Sequence, residues 1–97
     1  MLRQLNDRIA QIVLQMAQQL CSADEQELTD REVRLAVLAA AHLLHTEVGA
    51  HRDDAAVSAA QVGADYADIG TAIGMTRQGA RRRWPDLAAV TRAARQL

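Results

Sequence analysis

The chain has 97 residues and a net charge of −1, and almost half of its residues are apolar although it has no Phe, one Tyr (Tyr66) and one Trp (Trp84). That is one domain's worth of chain with an aliphatic core. No charged-then-apolar leader opens it and no apolar run approaches ~20 residues, so neither a signal peptide nor a membrane span is expected; the lone Cys21 has no internal disulfide partner, which makes a reducing, cytoplasmic setting the expectation.

The strand signal is almost absent. Val and Ile recur at helical spacing and Ala is abundant, so the expected fold class is all-α: an N-terminal helical hairpin followed by a tri-helical helix-turn-helix unit. In the first segment Leu2, Leu5, Ile9, Ile12 and Met16 step by 3, 4, 3 and 4 residues. This is an a/d seam, with Val13 and Leu20 beside it. Ser22–Glu25 and Thr29–Glu32 each have the form of a capping box. The first lies in a connector over 22–28, with room for one helical turn.

A second helix is predicted from Asp30 to about Glu47. Its apolar positions Val33, Ala36, Val37, Ala40, Leu43, Leu44 and Val48 make a broad stripe, so it should be largely buried. Gly49 is the predicted stop. Asp53 and Asp54 then open a third, short helix, with carboxylates at its positive end, and Gly63 closes it. The composition shift near 49–54 divides an oligomerisation or partner-binding region, 1–50, from a second region, 52–97.

Two further helices are expected over about 65–72 and 76–84. Asp65 can N-cap the first, whose inward positions are Tyr66, Ile69, Gly70 and Ile73. Gly74 sits where the chain leaves that helix, in a left-handed conformation that is cheap only for Gly. Met75 plugs the corner and Thr76 caps the second helix. Ala80 and Trp84 face inward on it. Pro85 stops it. Asp86 can cap a last helix whose Leu87, Val90, Ala94 and Leu97 recur at apolar spacing.

Charge is unevenly spread. Residues 1–50 set four arginines against seven acids, whereas residues 76–97 set six arginines against Asp86 alone. All 11 basic residues are Arg. Phosphate contacts need a basic face, not a basic protein. On the predicted 76–84 helix, Thr76, Arg77, Gln78, Arg81 and Arg82 fall on the outer side and leading end. These residue types suit base edges and phosphates: Arg for guanine, Gln for adenine, Thr for either.

The stretch ADIGTAIGMTRQGARRRW, residues 67–84, resembles the helix-turn-helix of bacterial DNA-binding regulators, a pattern also seen in sigma-factor-like modules. Ile69, Gly70, Ile73, Gly74, Met75 and Ala80 carry the resemblance. It covers about 20 residues, or about 30 if the helix over 53–62 is the first of a tri-helical unit. Two positions depart from it. Arg83 stands where such motifs often place an aliphatic core residue, with Trp84 beside it to take over. Gly79 lies inside the second helix, which costs about 1 kcal/mol relative to Ala. Alanine there should therefore stabilise the chain, unless the glycine admits a DNA backbone. The resemblance implies double-stranded DNA as partner, with Thr76, Arg77, Gln78, Arg81, Arg82 and Arg83 at the interface and Arg83 nearer a phosphate or the core edge. Without it, the arginine run reads as a solvated helix face.

Other constellations are weaker. His42 and His45 are three apart, with Glu47, His51 and Cys21 as companions, but no HExxH or CxxC accompanies them, so core or interface histidines are expected and no metal. Cys21 has no nucleophile signature and reads as a small buried thiol. The acids at 24–32 belong to helix starts. No phosphate-cradling glycine loop or Ser-His-Asp logic is present, so neither enzyme activity nor a cofactor is expected. The expected function is sequence-specific transcriptional regulation by a homodimer assembled through Leu5, Ile9, Ile12 and Met16, with repression by site occupancy. A protein-binding adaptor of the sigma-region kind and a nucleoid-type protein of low specificity are the alternatives.

Overall fold

The structure, a computed structural model, describes residues 1–21 and 28–96. The capping box at Ser22–Glu25, most of the connector and Leu97 lie outside the described residues. Among the described residues five helices follow in order: α1 Leu2–Cys21, α2 Asp30–Gln61, α3 Tyr66–Ile73, α4 Arg77–Arg83 and α5 Leu87–Arg95. Among the described residues there is no strand, and no helix is long and apolar enough to cross a membrane. The fold class is all-α. The chain divides into two compact units, Met1–Val48 and Gly49–Leu97.

In the first unit, Val13 and Ala17 of α1 bury against Ala40 of α2, with Met16, Ala36, Val37 and Leu44 packed around them. Ala17 and Ala40 are small enough for the two helices to approach closely. The start of α2 carries the expected reciprocal cap. Thr29 Oγ1 accepts from the Glu32 N–H at 3.2 Å, and Glu32 Oε2 accepts from the Thr29 N–H at 2.9 Å. Asp30 and Glu32 add negative charge at the positive helix end.

Two expectations fail in this region. The Val33–Val48 stretch of α2 is not largely buried: of its apolar stripe only Ala40 is, while Val33, Leu43 and Val48 are exposed. One neighbouring helix covers one strip of a wide apolar arc and no more. Nor does Gly49 stop the helix. The residue has no positive φ, and α2 runs through it to Gln61. A mid-helix glycine costs about 1 kcal/mol, too little to break a helix flanked by good formers such as Ala50, Ala55 and Ala56. Asp53 and Asp54, expected at a helix start, therefore sit inside α2.

The true end of α2 is at Gly63, φ +96°, as its position suggested. The Gly63 N–H donates to Ala60 O at 3.0 Å and the Ala64 N–H to Ala59 O at 3.1 Å. These crossed bonds satisfy carbonyls that a helix end leaves open.

The second unit has a core of Ala56, Ala60, Tyr66, Ile69, Ala80, Trp84 and Leu87, with Ala64, Met75 and Val90 against it. Its two aromatic side chains each carry a polar tip, and each tip is satisfied. The Tyr66 hydroxyl donates to Trp84 O at 2.6 Å and accepts from the Leu87 N–H at 3.2 Å. Trp84 Nε1 donates to Asp53 Oδ1 at 2.9 Å. Thr91, buried, donates to Ala64 O at 2.6 Å. Asp86 occupies the N-cap position of α5, but its side chain makes no capping bond. Its φ of −97° and ψ of 3° lie outside the extended region usual for a cap, and Tyr66 already serves the first N–H of the helix.

The continuity of α2 makes a direct prediction. A Cβ built on Gly49 meets nothing within 4 Å. Gly49→Ala should therefore raise the melting temperature, by up to about 1 kcal/mol of stability. A fall on thermal denaturation would mean that the helix breaks there.

Candidate nucleic-acid interface

The candidate interface is built on α3, the turn after it and α4. Asp65 has extended backbone and its carboxylate accepts from the Asp68 N–H at 2.9 Å, while Asp68 accepts from the Asp65 N–H at 3.0 Å. Arg95 reaches back from α5, donating to Gly63 O at 2.9 Å and to Asp65 Oδ2 at 3.3 Å. The Asp68 N–H bond, followed by the Asp68 side chain and Arg95, holds the Asp65 carboxyl below its ordinary value of 3.8. The start of α3 is thus tied to the end of α2 and to α5.

The end of α3 is a tight left-handed turn. Gly74 has φ +70° and its N–H donates to Gly70 O, to which the Met75 N–H also donates at 2.8 Å. Gly70 is buried because the turn folds over it. A Cβ there would collide with Met75 O and lie 3.2 Å from the Thr76 carbonyl carbon and oxygen. Thr76 caps α4, its hydroxyl accepting from the Gly79 N–H at 2.9 Å. Tyr66, Ile69 and Gly70 point inward, and Met75 packs at the corner. Ile73 does not point inward: it is 46% exposed, because the core beneath α3 ends at Ile69 and Gly70.

The position of Gly79 is explained by its own chain. A Cβ would come 2.8 Å from Met75 Cγ and 3.1 Å from Thr76 Oγ1. The space is already taken by the corner residue and the cap. Alanine there would require the Met75 side chain to shift, which offsets the expected gain, and room for a DNA backbone is not needed to explain the glycine.

On α4, Ala80 and Trp84 are buried, and Arg77, Gln78, Arg81 and Arg82 are exposed. Arg77, Gln78 and Arg81 line one shallow concavity of about 310 Å³. Among the described residues, Arg77, Arg81 and Arg82 pair with no carboxylate. Arg83 is placed differently. Its Nη2 lies 2.9 Å from Asp53 Oδ1, and its guanidinium stands 5.5 Å from the centre of the Trp84 ring. Arg52 stands over the same ring at 5.2 Å. The three-arginine run is therefore two outward charges and one that ties α4 to α2. Sequence reasoning missed this cluster of Arg52, Asp53, Arg83 and Trp84. The signals present were an arginine at an aliphatic position and an aspartate pair without a helix start to serve.

Among the described residues no group of His, Cys, Asp or Glu is arranged to hold a metal. His42, His45, His51 and Glu47 are exposed, and Cys21 is half-buried. No family model, curated protein or solved structure matches the chain.

The turn makes a graded prediction. Gly70→Ala must move backbone, and Gly74→Val puts a β-branched residue at positive φ, a strain of roughly 1–2 kcal/mol or more. Both should lower the melting temperature clearly, whereas Gly79→Ala should bring none of the ~1 kcal/mol gain expected of an open helical site. A stabilised Gly79→Ala protein would show that Met75 does not fill the corner.

Asp65 makes a second. Its folded value is lowered, so its stabilising effect is full above the ordinary carboxylate value and is lost as pH falls through the lowered one. Asp65→Asn keeps an acceptor but cannot titrate. From about pH 5 down to about pH 2, its melting temperature should fall less than that of the unsubstituted protein. Parallel pH profiles would contradict the assignment.

Proposed function

We propose that the second unit binds double-stranded DNA as a helix-turn-helix, with α4 as the recognition helix. The observation that carries this reading is the outward face of α4. Arg77, Gln78, Arg81 and Arg82 are exposed together and the three arginines have no carboxylate partner among the described residues, while Ala80 and Trp84 anchor the opposite face. Exposed, unpaired arginines beside a glutamine suit both phosphates and base edges. Gln78 and Arg81 read bases, Arg77 and Arg82 hold the backbone, and Thr76 sets the angle of the helix through its cap. Arg83 acts from behind, by fixing α4 to Asp53.

The chain then acts as a homodimeric transcriptional regulator, repressing by site occupancy. The first unit supports the dimer. Leu5, Ile9 and Ile12 are 51%, 42% and 41% exposed, and Leu35, Leu38 and Leu43 of α2 are exposed as well. A unit that, among the described residues, buries only Val13, Ala17 and Ala40 gains from a partner surface in water. Two copies closing these faces into a four-helix arrangement would supply one, with Met16 at its edge. Such a dimer calls for a two-fold symmetric site.

A salt titration against selected and random duplexes tests the function. A regulator shows both a salt slope and a sequence ratio. A slope without a ratio would mean nucleoid-type binding, and neither would mean a protein-docking adaptor. Arg81→Ala and Gln78→Ala should each cost about 1–3 kcal/mol on the preferred site and relax preference at one position. Arg82→Ala should weaken all duplexes alike and lower the salt slope by about 0.9. Unchanged binding in the first two variants would remove α4 from the interface.

Light scattering tests the dimer. The unsubstituted protein should run at twice its chain mass of 10.6 kDa, and Ile9→Asp with Ile12→Asp at the chain mass, with weak half-site binding. A monomer at high micromolar concentration would exclude this assembly.

A further inference from the structure

The second unit leaves an open groove of about 330 Å³ on the side of α3 that faces the last turns of α2. Ala55, Ala59 and Ala72 make its walls, and Ile69, Ile73 and Trp84 supply its larger surfaces. The alanine side chains are too short to fill the space between the helices. Ile73, beyond the end of the core at Ile69 and Gly70, lies half exposed along the groove. At liquid density the volume holds roughly ten non-hydrogen atoms, the lower end of small-molecule sites.

Two charged residues line the groove, Arg52 and Asp68. Asp68 is committed: it accepts from the Asp65 N–H and lies 3.9 Å from Arg95 Nη2. Arg52 is not. Its guanidinium lies over the Trp84 ring, but among the described residues it pairs with no carboxylate and donates no hydrogen bond. The neighbouring carboxylate of Asp53 is already shared by Trp84 Nε1 and Arg83. The charge left over at the mouth of an apolar groove is positive, and its planar donor fork matches a carboxylate.

We propose that this groove binds a small, free, apolar carboxylate, a medium-chain alkanoate or an aryl acid of similar size, with its apolar body against Ile69, Ile73 and Trp84 and its carboxylate on Arg52. Trp84 is the only tryptophan, so its emission reports occupancy directly. Occupancy is read without DNA, so failure here and failure of the recognition-helix reading are distinguishable.

The experiment titrates the full chain with octanoate, octanol and octylamine below their self-association, following Trp84 emission. Octanoate should give a saturable shift, with octylamine at least about ten-fold weaker. Arg52→Gln, an exposed position, should weaken octanoate about ten-fold and bring it level with octanol. Ala72→Phe fills the groove and should abolish the response to all three. The proposal is overturned if octanoate gives no saturable shift, if octylamine binds as well as octanoate, or if Arg52→Gln leaves the order of affinities unchanged. It is also overturned if Trp84 emission in the ligand-free protein changes with protein concentration and Ala72→Phe removes that change, since a second copy would then occupy the groove.

Discussion

The Tyr66 hydroxyl holds the second unit in its shape. It stands between the last carbonyl at the end of α4 and the first N–H of α5, giving one hydrogen bond and receiving another. Without it the Leu87 N–H and the Trp84 carbonyl meet each other at 3.5 Å, the long limit of a hydrogen bond, and a buried polar group left poorly paired costs up to about 1–3 kcal/mol. Pro85 forces the chain to turn at this place, and the ring of Tyr66 brings the one side-chain group able to meet both ends of the turn. The direction of α5, and the return of Arg95 to the start of α3, follow from that corner. So does the pose of α4, whose inward Trp84 is the residue that offers the carbonyl.

A chain without phenylalanine builds its two units by different means. In Gly49–Leu97, Tyr66 and Trp84 provide bulk and anchoring bonds at once, and alanines fit around them. In Met1–Val48 no aromatic residue is available, and among the described residues the buried set is one valine and two alanines. The same alanine content gives close packing where a large residue stands opposite and a shallow contact where none does. Apolar content alone therefore says little about how deep a core is. What matters is whether a large side chain meets a small one across the contact.

This difference also separates what could be read in the sequence from what could not. The features at Gly63, Asp65, Gly74 and Thr76 depend on residues within five positions of one another, so local chemistry names them. The inward pair Ala80 and Trp84 follows from helical spacing. Gly49 could not be placed in the same way, since glycine permits a stop without requiring one, and the residues around it favoured continuation. The burial of α2 was overestimated because periodicity shows which face is apolar and not how many neighbours cover it. The bond between Trp84 and Asp53 joins residues 31 apart and leaves no local trace. Nor does the service of Leu87 by Tyr66, which leaves Asp86 at the N-cap position without a capping role. The outward set Arg77, Gln78, Arg81 and Arg82 was legible as a pattern. The different situation of Arg83 was not, because it depends on where α2 passes.

The pairing of Arg83 with Asp53 changes how the run Arg81–Arg83 behaves as a polyelectrolyte. Each arginine that neutralises a DNA phosphate displaces part of a condensed cation, and the entropy of that release drives association. Arg83 already has a counter-charge 2.9 Å away. To join a phosphate it would first have to leave a carboxylate, and the exchange of one anion for another frees little. On the proposed reading, the ionic valence of the helix is thus lower than its arginine count, and the third residue of the run contributes a tie to α2 where its neighbours contribute charge.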